Sequence, residues 1–425
     1  MSQEYDVAVV GAGYVGLPLA VTFGEAGCRV LVVDVVDDVV ARINSGESHI
    51  EDVSDERLAP LVESGHVHAT TDYQELRGAE AILIALPTPL SRQREPDLSI
   101  VESSARSIAG VLREGQVVVL ESTTWPGTTR EVLLPALEQG SGLKAGEGFH
   151  LAMSPERVDP GREDWTTKTT PKVLGGITPE CTRRATEVYR KAVDTVHEVS
   201  TPEAAELTKL LENIFRSVNI ALVNELAILC DRMGIDIWEV VDAASTKPFG
   251  FMRFSPGPGL GGHCIPIDPF YLSWKAREFG FYTEFIELAG KVNEEMPYFC
   301  RSLVSQALNH HAKRAMKGSR ILVLGVAYKP DIGDLRESPA LKLISLLQNA
   351  GAEVAYHDLH VPQIREEGVE LAGVAYEPDK YDCVVIVTDH SSLDYDRLVD
   401  EASLVVDLRN ATGAKGSAAE HVFKL

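Results

Sequence analysis

Short apolar runs and longer amphipathic segments alternate in the first half of the chain. The apolar runs lie at 5–10, 29–33, 80–86, 116–121 and 149–153. Such runs predict strands buried on both faces, and strands that alternate with helices predict a parallel sheet covered on both sides. We therefore expect a doubly wound α/β domain in this half.

The middle of the chain follows a helical period. Apolar residues recur at spacings of three and four after Pro202, with no further proline up to residue 246. The pattern predicts one long helix, a shorter one after Gly234 and another over 281–315. The apolar positions of the long helix are Leu207, Leu210, Leu211, Ile214, Val218, Ala221, Leu222 and Leu226.

A second α/β pattern lies C-terminal to these helices. It predicts strands at 320–325, 352–357, 382–387 and 403–407 and a helix at 338–350. Because it lacks a G-x-G-x-x-G turn, we do not expect a second dinucleotide held in the same way. The predicted fold class is α/β, with two Rossmann-like doubly wound domains joined by a long central helix that also pairs subunits. The predicted domains are 1–200, 201–316 and 317–425.

Composition narrows the class of protein. The chain has 425 residues and a net charge of −23, which argues against binding to nucleic acid or to an anionic membrane. We find no signal-peptide pattern and no apolar run near 18 residues. Six cysteines without C-x-x-C spacing indicate reduced thiols in a cytoplasmic protein, and without a metal-ligand motif we expect no metal site.

The turn after the first run carries the strongest local signal. Gly11, Gly13 and Gly16 form G-x-G-x-x-G between a strand and a helix, the context that binds a dinucleotide diphosphate. Asp34 ends the next strand and should bind the adenosine ribose, which favours NAD over NADP. Alternatively, Asp34 is only a strand-end turn residue.

Polar residues after later strands are further candidates. Thr88, Pro89 and Thr123 follow predicted strands at the edge where open α/β sheets bind ligands, although hydroxyls there also serve as caps. Glu156, followed by Arg157, comes after the strand at 149–153 and is a candidate for proton transfer, or a surface turn acid.

The long helix carries a polar set at spacings of three and four. Glu206, Lys209, Asn213 and Arg216 share one helical face. One interpretation is a solvated stripe with a Glu206–Lys209 pair. The other is that a buried lysine holds an alkoxide and a buried asparagine holds a water.

Cys264 lies in an unusual segment, PGPGLGGHCIPIDP, with Asp268 four residues later. Glycine lets backbone approach a ligand, so a substrate could reach this thiol. A thiolate beside a hydride-accepting cofactor can convert an aldehyde to a thioester and then to an acid. The alternative is a buried thiol without chemistry.

Three basic residues near the C-terminus follow predicted strands. Lys329, Arg336 and Arg409 could converge on a diphosphate, although each is also typical of a structural ion pair.

These segments together resemble the UDP-glucose/GDP-mannose dehydrogenase family over nearly the whole chain. The motifs are GAGYVG, STTWPGTT, SPERVDPG, AELTKLLENIFRSVNIALVNEL, PGPGLGGHCIPIDP and GVAYKPDIGDLRESPA. The resemblance implies two Rossmann-like domains, a homodimer or higher homo-oligomer formed through the central helix, and NAD-dependent four-electron oxidation of a nucleotide-sugar C6 alcohol to a carboxylate.

The resemblance also implies roles for individual residues. Cys264 matches the nucleophile, Lys209 the group that stabilises the oxyanion, and Asn213 an amide that orients sugar and water. Thr123 and Asp268 match residues around the catalytic water, and Glu156 a proton-handling carboxylate. We expect the NAD site to comprise Gly11, Gly13, Tyr14, Val15, Gly16, Asp34, Thr88, Pro89 and Thr123. We expect the substrate site to comprise Glu156, Arg157, Lys209, Asn213, Gly261, Lys329, Arg336 and Arg409.

The cysteine segment departs from the UDP-glucose branch at two positions. His263 stands where that branch has Ser, and Ile267 where it has Lys. The segment resembles the bacterial branch that acts on UDP-N-acetylhexosamines, so we favour a UDP-N-acetylglucosamine 6-dehydrogenase. UDP-N-acetylmannosamine, UDP-N-acetylgalactosamine, UDP-glucose and GDP-mannose come next, in that order.

Two other functions stay open at this point. A two-electron hydroxyacid dehydrogenase shares a similar domain plan, needs no cysteine and forms one NADH per substrate. A catalytically silent nucleotide-sugar binding protein would lack one of Lys209, Asn213, Cys264 or Asp268, all of which are present.

Overall fold

A computed structural model describes residues 4–91, 95–158, 164–262 and 264–425. The chain divides into two compact units. The first comprises Met1–Glu212 and Trp274–Phe281, and the second comprises Asn213–Ser273 and Tyr282–Leu425.

The first unit is built on an eight-stranded sheet. Its strands are β1 (Tyr5–Val10), β2 (Val30–Val33), β3 (Val67–Thr70), β4 (Ala79–Ile84), β5 (Val117–Leu120), β6 (His150–Met153), β7 (Lys172–Gly176) and β8 (Val196–Glu198). They are ordered β3-β2-β1-β4-β5-β6-β7-β8, and every neighbouring pair is parallel except β6–β7. The strands expected at 116–121 and 149–153 both form, with slightly shorter bounds.

Alternate residues of β1 enter different cores. Val7 and Val9 pack in one hydrophobic cluster, and Ala8 and Val10 pack in another. Because successive side chains point to opposite faces, a strand that is apolar at every position is covered on both sides. The helices that cover the sheet are α1 (Gly16–Glu25), α2 (Asp37–Asn44), α3 (Asp55–Glu63), α4 (Ser99–Ala109), α5 (Leu134–Ser141) and α6 (Pro179–Tyr189), with a 3-10 turn at Tyr73–Gly78 and a π turn at Thr129–Leu133.

One long helix, α7 (Pro202–Met233), begins in the first unit and continues into the second, and its length agrees with the apolar period. It is followed by α8 (Ile237–Ser245), α9 (Asp268–Ala276), a 3-10 turn at Arg277–Phe279 and α10 (Glu284–Ala307). The helix predicted over 281–315 is shorter than expected. Its regular part ends at Ala307, and a π turn at Leu308–Ala312 leads to Lys313, whose φ of 52° ends the helix.

The second unit contains a five-stranded parallel sheet. Its elements are β9 (Arg320–Leu324), α11 (Pro339–Asn349), β10 (Glu353–His357), β11 (Gln363–Glu366), β12 (Val369–Ala372), a 3-10 turn at Pro378–Lys380, β13 (Cys383–Ile386), α12 (Tyr395–Glu401), β14 (Val405–Asp407), α13 (Gly413–Ser417) and β15 (Val422–Lys424). The sheet order is β10-β9-β13-β14-β15, and β11 and β12 form a separate antiparallel pair. The predicted α/β class, with two such domains and a long central helix, is confirmed, whereas the pairing of subunits through that helix stays a prediction.

By length and composition alone, α7 could cross a membrane. An 18-residue window of this helix has a mean hydropathy of 1.3, and 33% of that window is buried. The apolar pattern along the sequence had not indicated a segment of this kind. Core helices of soluble proteins meet the same criterion, so one such helix is weak evidence for a membrane span.

Candidate active site

The glycine turn after β1 assigns a different geometry to each glycine. Gly11 has φ of 97°, and a Cβ there would lie 2.5 Å from the carbonyl oxygen of Ala85. A Cβ at Gly16 would lie 1.8 Å from the carbonyl oxygen of Gly11, whereas at Gly13 it would meet no atom within 4 Å. Gly11 and Gly16 therefore allow the turn to pack, and Gly13 leaves backbone accessible to a ligand.

Asp34 follows β2 and holds this turn in place. Its carboxylate accepts hydrogen bonds from the backbone N–H of Ala12 (2.8 Å) and of Val36 (3.0 Å). The His49 ring contacts the carbonyl oxygen of Ala12 at 2.9 Å through Nε2. A partly exposed carboxylate beside an accessible glycine backbone fits an adenosine ribose and its diphosphate.

Lys209 and Thr123 meet within the first unit. The Lys209 ammonium donates to the Thr123 hydroxyl, and the Lys209 residue is 9% exposed. The Thr88 hydroxyl donates to the carbonyl oxygen of Thr123 at 2.7 Å. The segments that follow β4 and β5 are therefore hydrogen-bonded to each other next to Lys209 of α7. A buried lysine cation in this position is suited to stabilise a negative charge that develops during a reaction.

Glu206 does not lie on a solvated stripe. The residue is 1% exposed, and its carboxylate accepts from the backbone N–H of Gly127 (2.6 Å) and from the N–H and hydroxyl of Thr129 (2.8 and 2.7 Å). Burial raises the pKa of Glu206 to about 7, although these hydrogen bonds oppose the rise. Glu206 thus fastens the loop after Thr123 to α7.

Glu156 belongs to a buried charge cluster. Lys172 donates to Glu156 (2.9 Å) and to Glu121 (2.7 Å), and the Tyr189 hydroxyl donates to Glu121. The other Glu156 oxygen accepts from the backbone N–H of Arg157 and of Val158, both at 2.8 Å.

The two carboxyl groups of this cluster differ in charge preference. Burial raises the pKa of Glu156, but Lys172 and the backbone N–H groups outweigh it, so the net shift is downward. Burial raises the pKa of Glu121 against the opposing charge of Lys172. Glu156 is therefore held as an anion, the form that can accept a proton, and its lowered pKa makes it a weaker base than an ordinary carboxylate.

Arg157 forms an ion pair with α7. Its guanidinium donates to both carboxylate oxygens of Glu212 (2.6 and 3.1 Å) and to the carbonyl oxygen of Pro171 (2.6 Å). These contacts occupy much of the group that the family resemblance assigns to the substrate. That assignment stays a prediction.

In the second unit, Asn213 and Asp268 are in contact. The Asn213 amide donates to the Asp268 carboxylate at 2.6 Å, and Asp268 is 2% exposed at the start of α9. The backbone N–H groups of Ile267 and Asp268 donate to the carbonyl oxygen of Cys264 at 3.2 and 2.8 Å. One tight turn therefore connects the partly exposed thiol to the acid and amide predicted to act with it.

We call residues 256–262 the cysteine loop. A Cβ at Gly257 would lie 2.6 Å from a guanidinium nitrogen of Arg409, and a Cβ at Gly261 would lie 2.5 Å from the Cβ of Tyr328. The backbone N–H of Gly262 donates to the carbonyl oxygen of Arg336 at 2.9 Å. The glycines therefore allow the loop to lie directly on the segments that follow β9 and β14.

The basic residues of this unit have partners. Arg336 pairs with Asp334 at 2.6 Å, and Arg409 with Asp389 at 3.4 Å. Lys329 is partly buried in the loop after β9. Both arginines line the contact with the cysteine loop, and their contact with a diphosphate stays a prediction.

Some predicted features fall beyond the described residues. They are His263 and residues 159–163, which include the end of the SPERVDPG motif.

One cluster in the second unit has the composition of a metal site. Ligand atoms of Asp331, His360 and His390 lie within 4.8 Å of one another. The His390 nitrogens already contact the Asp331 N–H (3.0 Å) and Asp358 (2.9 Å), so this group is not arranged as an open metal site.

Comparison with known proteins places the chain. Residues 5–193 match the NAD binding domain, 203–295 the central domain and 322–414 the UDP binding domain of the UDP-glucose/GDP-mannose dehydrogenase family. The chain belongs to this family. The predicted family, its enzymatic class and the cofactor NAD are thereby confirmed.

The relatives of this dehydrogenase are named for different sugars. A UDP-N-acetyl-D-mannosamine dehydrogenase of Pyrococcus horikoshii is 38% identical over 388 residues, covering 90% of this chain and 89% of the relative. A UDP-N-acetyl-D-glucosamine 6-dehydrogenase of Pseudomonas aeruginosa is 35% identical over 395 residues, with coverage of 92% and 91%. A solved structure of the UDP-D-ManNAc dehydrogenase from Pyrococcus horikoshii matches with a TM-score of 0.89 and 33% identity, covering 99% and 98% of the two chains.

Several residues that shape this dehydrogenase were missed in the sequence. Lys172, Glu121 and Tyr189 are far apart along the chain, and none lies in a pattern that indicates a buried cluster. Asn224 and Asn293 are also buried. The two asparagines could have been predicted from the sequence, because an amide on an otherwise apolar helix face indicates a buried polar contact. The same argument identified Asn213.

Proposed function

We propose that this dehydrogenase oxidises the C6 hydroxyl of a UDP-N-acetylhexosamine to a carboxylate. The favoured substrate is UDP-N-acetylglucosamine. The Asn213–Asp268 contact of 2.6 Å beside the Cys264 turn carries this proposal, because it joins a water-orienting amide and an acid to the segment that bears the thiol. Two NAD molecules, bound one after the other, would each accept one hydride and leave as NADH.

Protein groups carry the intervening steps of the proposed reaction. After the first hydride leaves C6, the Cys264 thiolate adds to the aldehyde carbon and forms a C–S bond. Lys209 stabilises the resulting oxyanion. Loss of the second hydride gives a thioester. Water positioned by Thr123, Asn213 and Asp268 then adds to the thioester, and the C–S bond breaks to release carboxylate and thiolate.

In this scheme Glu156 accepts the proton that the attacking water loses as it adds to the thioester, consistent with its anionic state beside Lys172. In this scheme, residues 1–200 bind the cofactor and residues 201–316 carry the catalytic loop. Residues 317–425 bind the nucleotide-sugar. Lys329, Arg336, Arg409 and Gly261 are proposed to bind the UDP-sugar, together with Arg157.

Sugar preference rests on the cysteine segment and the relatives. Ile267 stands where the UDP-glucose branch carries Lys, and its backbone N–H closes the turn on the Cys264 carbonyl. The relatives from Pyrococcus horikoshii and Pseudomonas aeruginosa are named for N-acetylated hexosamines. Side-by-side kinetics with UDP-N-acetylglucosamine, UDP-N-acetylmannosamine and UDP-glucose test this, and a preference for UDP-glucose contradicts it.

The covalent step is tested by counting NADH. The unmodified enzyme should form two NADH and one uronic acid per sugar. Cys264→Ala should abolish acid formation and keep NAD binding, whereas Cys230→Ala, which alters a thiol on α7 in the same unit, should keep both. One NADH per sugar in the unmodified enzyme would support a two-electron reaction, and acid formation by Cys264→Ala would exclude a covalent role.

We also infer a homodimer formed through α7. Phe215, Leu222, Leu226, Leu229 and Met233 lie along one stripe of this helix, and 40–60% of each residue is exposed. An apolar stripe of this length is typical of a protein interface. Sedimentation should give a dimer for the unmodified chain and a smaller species for Leu222→Glu. A monomer before mutation contradicts the inference.

A further inference from the structure

Two asparagines on neighbouring helices of the second unit are buried and in contact. Asn224 on α7 is 0% exposed and Asn293 on α10 is 3% exposed. The Asn224 amide donates to the side-chain oxygen of Asn293 at 2.9 Å, and the Asn293 amide donates to the carbonyl oxygen of Ser217 at 3.2 Å. Buried amides are costly unless their groups are paired, and these hydrogen bonds give both side-chain amides a partner.

The Asn224 side chain also reaches the cysteine loop. Its oxygen accepts from the backbone N–H of Gly257 at 2.9 Å. The loop passes Asn293 as well, because a Cβ at Gly259 would lie 3.3 Å from the Asn293 carbonyl oxygen. Gly259 has φ of 139°, a conformation that favours glycine. Asn224 therefore binds one end of the loop directly, and Asn293 holds the Asn224 amide and lies against the loop at Gly259.

The other end of the loop is bound by a different contact. The N–H of Gly262 donates to the Arg336 carbonyl oxygen, and the Cys264 carbonyl oxygen accepts from Asp268. The loop is thus held at Gly257 and at Gly262, two residues before the thiol. Because the chain between these points is rich in glycine, its conformation depends on both contacts.

We infer that Asn224 and Asn293 are positioning residues that hold the cysteine loop, and through it the Cys264 thiol, in its reactive geometry. This inference rests on the proposed role of Cys264 as nucleophile. Neither asparagine is assigned any contact with the reacting atoms.

Alkylation measures the position of the thiol without catalysis. In Asn224→Leu and Asn293→Leu, a loosely held loop should expose the partly buried thiol to reagent while misplacing it for the substrate. The rate at which iodoacetamide modifies Cys264, followed by peptide mass spectrometry, should therefore rise about tenfold, equal to about 1.4 kcal/mol. The value of kcat should fall by about the same factor, with KM for NAD unchanged. Asn224→Asp keeps an oxygen for the Gly257 N–H and should lie between Asn224→Leu and the unmodified enzyme.

Asn44→Leu is the matched control. Asn44 exchanges two hydrogen bonds with Ala69, at 2.8 and 2.9 Å, in the first unit. Its loss should leave Cys264 alkylation within about twofold, as for other surface changes. Equal alkylation rates in Asn224→Leu, Asn293→Leu and Asn44→Leu would overturn the inference.

Hydrogen exchange in the unmodified enzyme gives a second test that needs no variant. The Gly257 N–H should exchange as slowly as buried amides of α7. Exchange at the rate of an open loop would overturn the inference, even if the leucine variants fail to fold. If alkylation of Cys264 leaves the unmodified enzyme active, the proposed function fails, whereas the alkylation comparison still decides the positioning role.

Discussion

Gly11 and Gly325 occupy equivalent places in the two α/β sheets, each directly after an interior strand that has a parallel neighbour on either side. Their φ values are 97° and 73°. A Cβ at Gly11 would lie 2.5 Å from the Ala85 carbonyl oxygen, and a Cβ at Gly325 would lie 2.3 Å from that of Thr388. Both units therefore place a glycine with positive φ against a neighbouring carbonyl oxygen after a strand. This holds even in the second unit, whose sequence lacks G-x-G-x-x-G.

The two turns differ in the residues that come after the first glycine. Gly13 is exposed, whereas Val326 and Ala327 are fully buried. Asp34 accepts two backbone N–H groups and stays partly exposed. A tight turn is thus not sufficient for a dinucleotide site, because the backbone after it must also be accessible.

The acid of the second turn is enclosed. Asp358 is 7% exposed and accepts from the N–H groups of Val326 (2.7 Å) and His360 (2.8 Å) and from the His390 ring (2.9 Å). These donors occupy the lone pairs that a ribose would need. Asp34 therefore keeps a carboxylate that solvent can reach, whereas the carboxylate of Asp358 is occupied by donors of its own unit.

The largest expected effect comes from replacing the positive-φ glycine that both turns share. Gly11→Ala and Gly325→Ala should each lower the free energy of unfolding of its own unit by about 4 kcal/mol, because alanine there is strained and meets a carbonyl oxygen. Hydrogen exchange resolved along the chain reports each unit separately. A loss below about 1 kcal/mol in either variant would show that the two turns are not equivalent.

The pH should separate the two units. Burial raises the pKa of Glu206 from its ordinary 4.5 to about 7, so the first unit should lose up to about 3 kcal/mol of stability as the pH rises through this window. For Asp358, hydrogen bonds from His390 and the backbone outweigh burial and lower the pKa below 3.8. Its contribution is present above that pH and lost on acidification below it.

Urea unfolding followed by regional hydrogen exchange across this pH range checks the separation. Glu206→Gln should flatten the pH dependence of the first unit only, and the second unit serves as the internal control. An unchanged slope in Glu206→Gln would show that another group titrates there.

Replacing the acids should sharpen the difference between the turns. Asp358→Asn places an amide where donors point, so the second unit should lose about 2 kcal/mol while KM for NAD is unchanged. Asp34→Asn should lower stability by less than about 1 kcal/mol but reduce the preference for NAD over NADP roughly tenfold. Kinetics with both cofactors and hydrogen exchange give the comparison, which fails if the two variants behave alike.

The smallest effect on stability is expected at Gly13. A Cβ there meets no atom within 4 Å, so Gly13→Ala should change the free energy of unfolding by no more than about 1 kcal/mol and raise KM for NAD. Gly16→Ala is the control, because its Cβ would collide with Gly11 and unfold the turn. An unchanged KM in Gly13→Ala would remove Gly13 from the diphosphate site.

Local patterns in the sequence were sufficient to predict much of the fold. The glycine turn, Asp34 and the apolar runs predicted five of the eight strands of the first sheet but not β3, β7 or β8. The three-and-four spacing after Pro202 predicted α7. These features depend on backbone dihedrals and on periods of two or 3.6 residues, which a short segment of chain determines by itself. The motifs together were also sufficient to identify the family and its cofactor.

Other features depend on partners that are distant in sequence. Glu206 is a cap for the loop at Gly127, 79 residues away, and Asn224 holds Gly257, 33 residues away. The pairing of Lys172 with Glu121 and Glu156 could not be inferred, because each residue alone is typical of an exposed surface. Burial removes water as a partner, and only the tertiary structure decides which groups replace it.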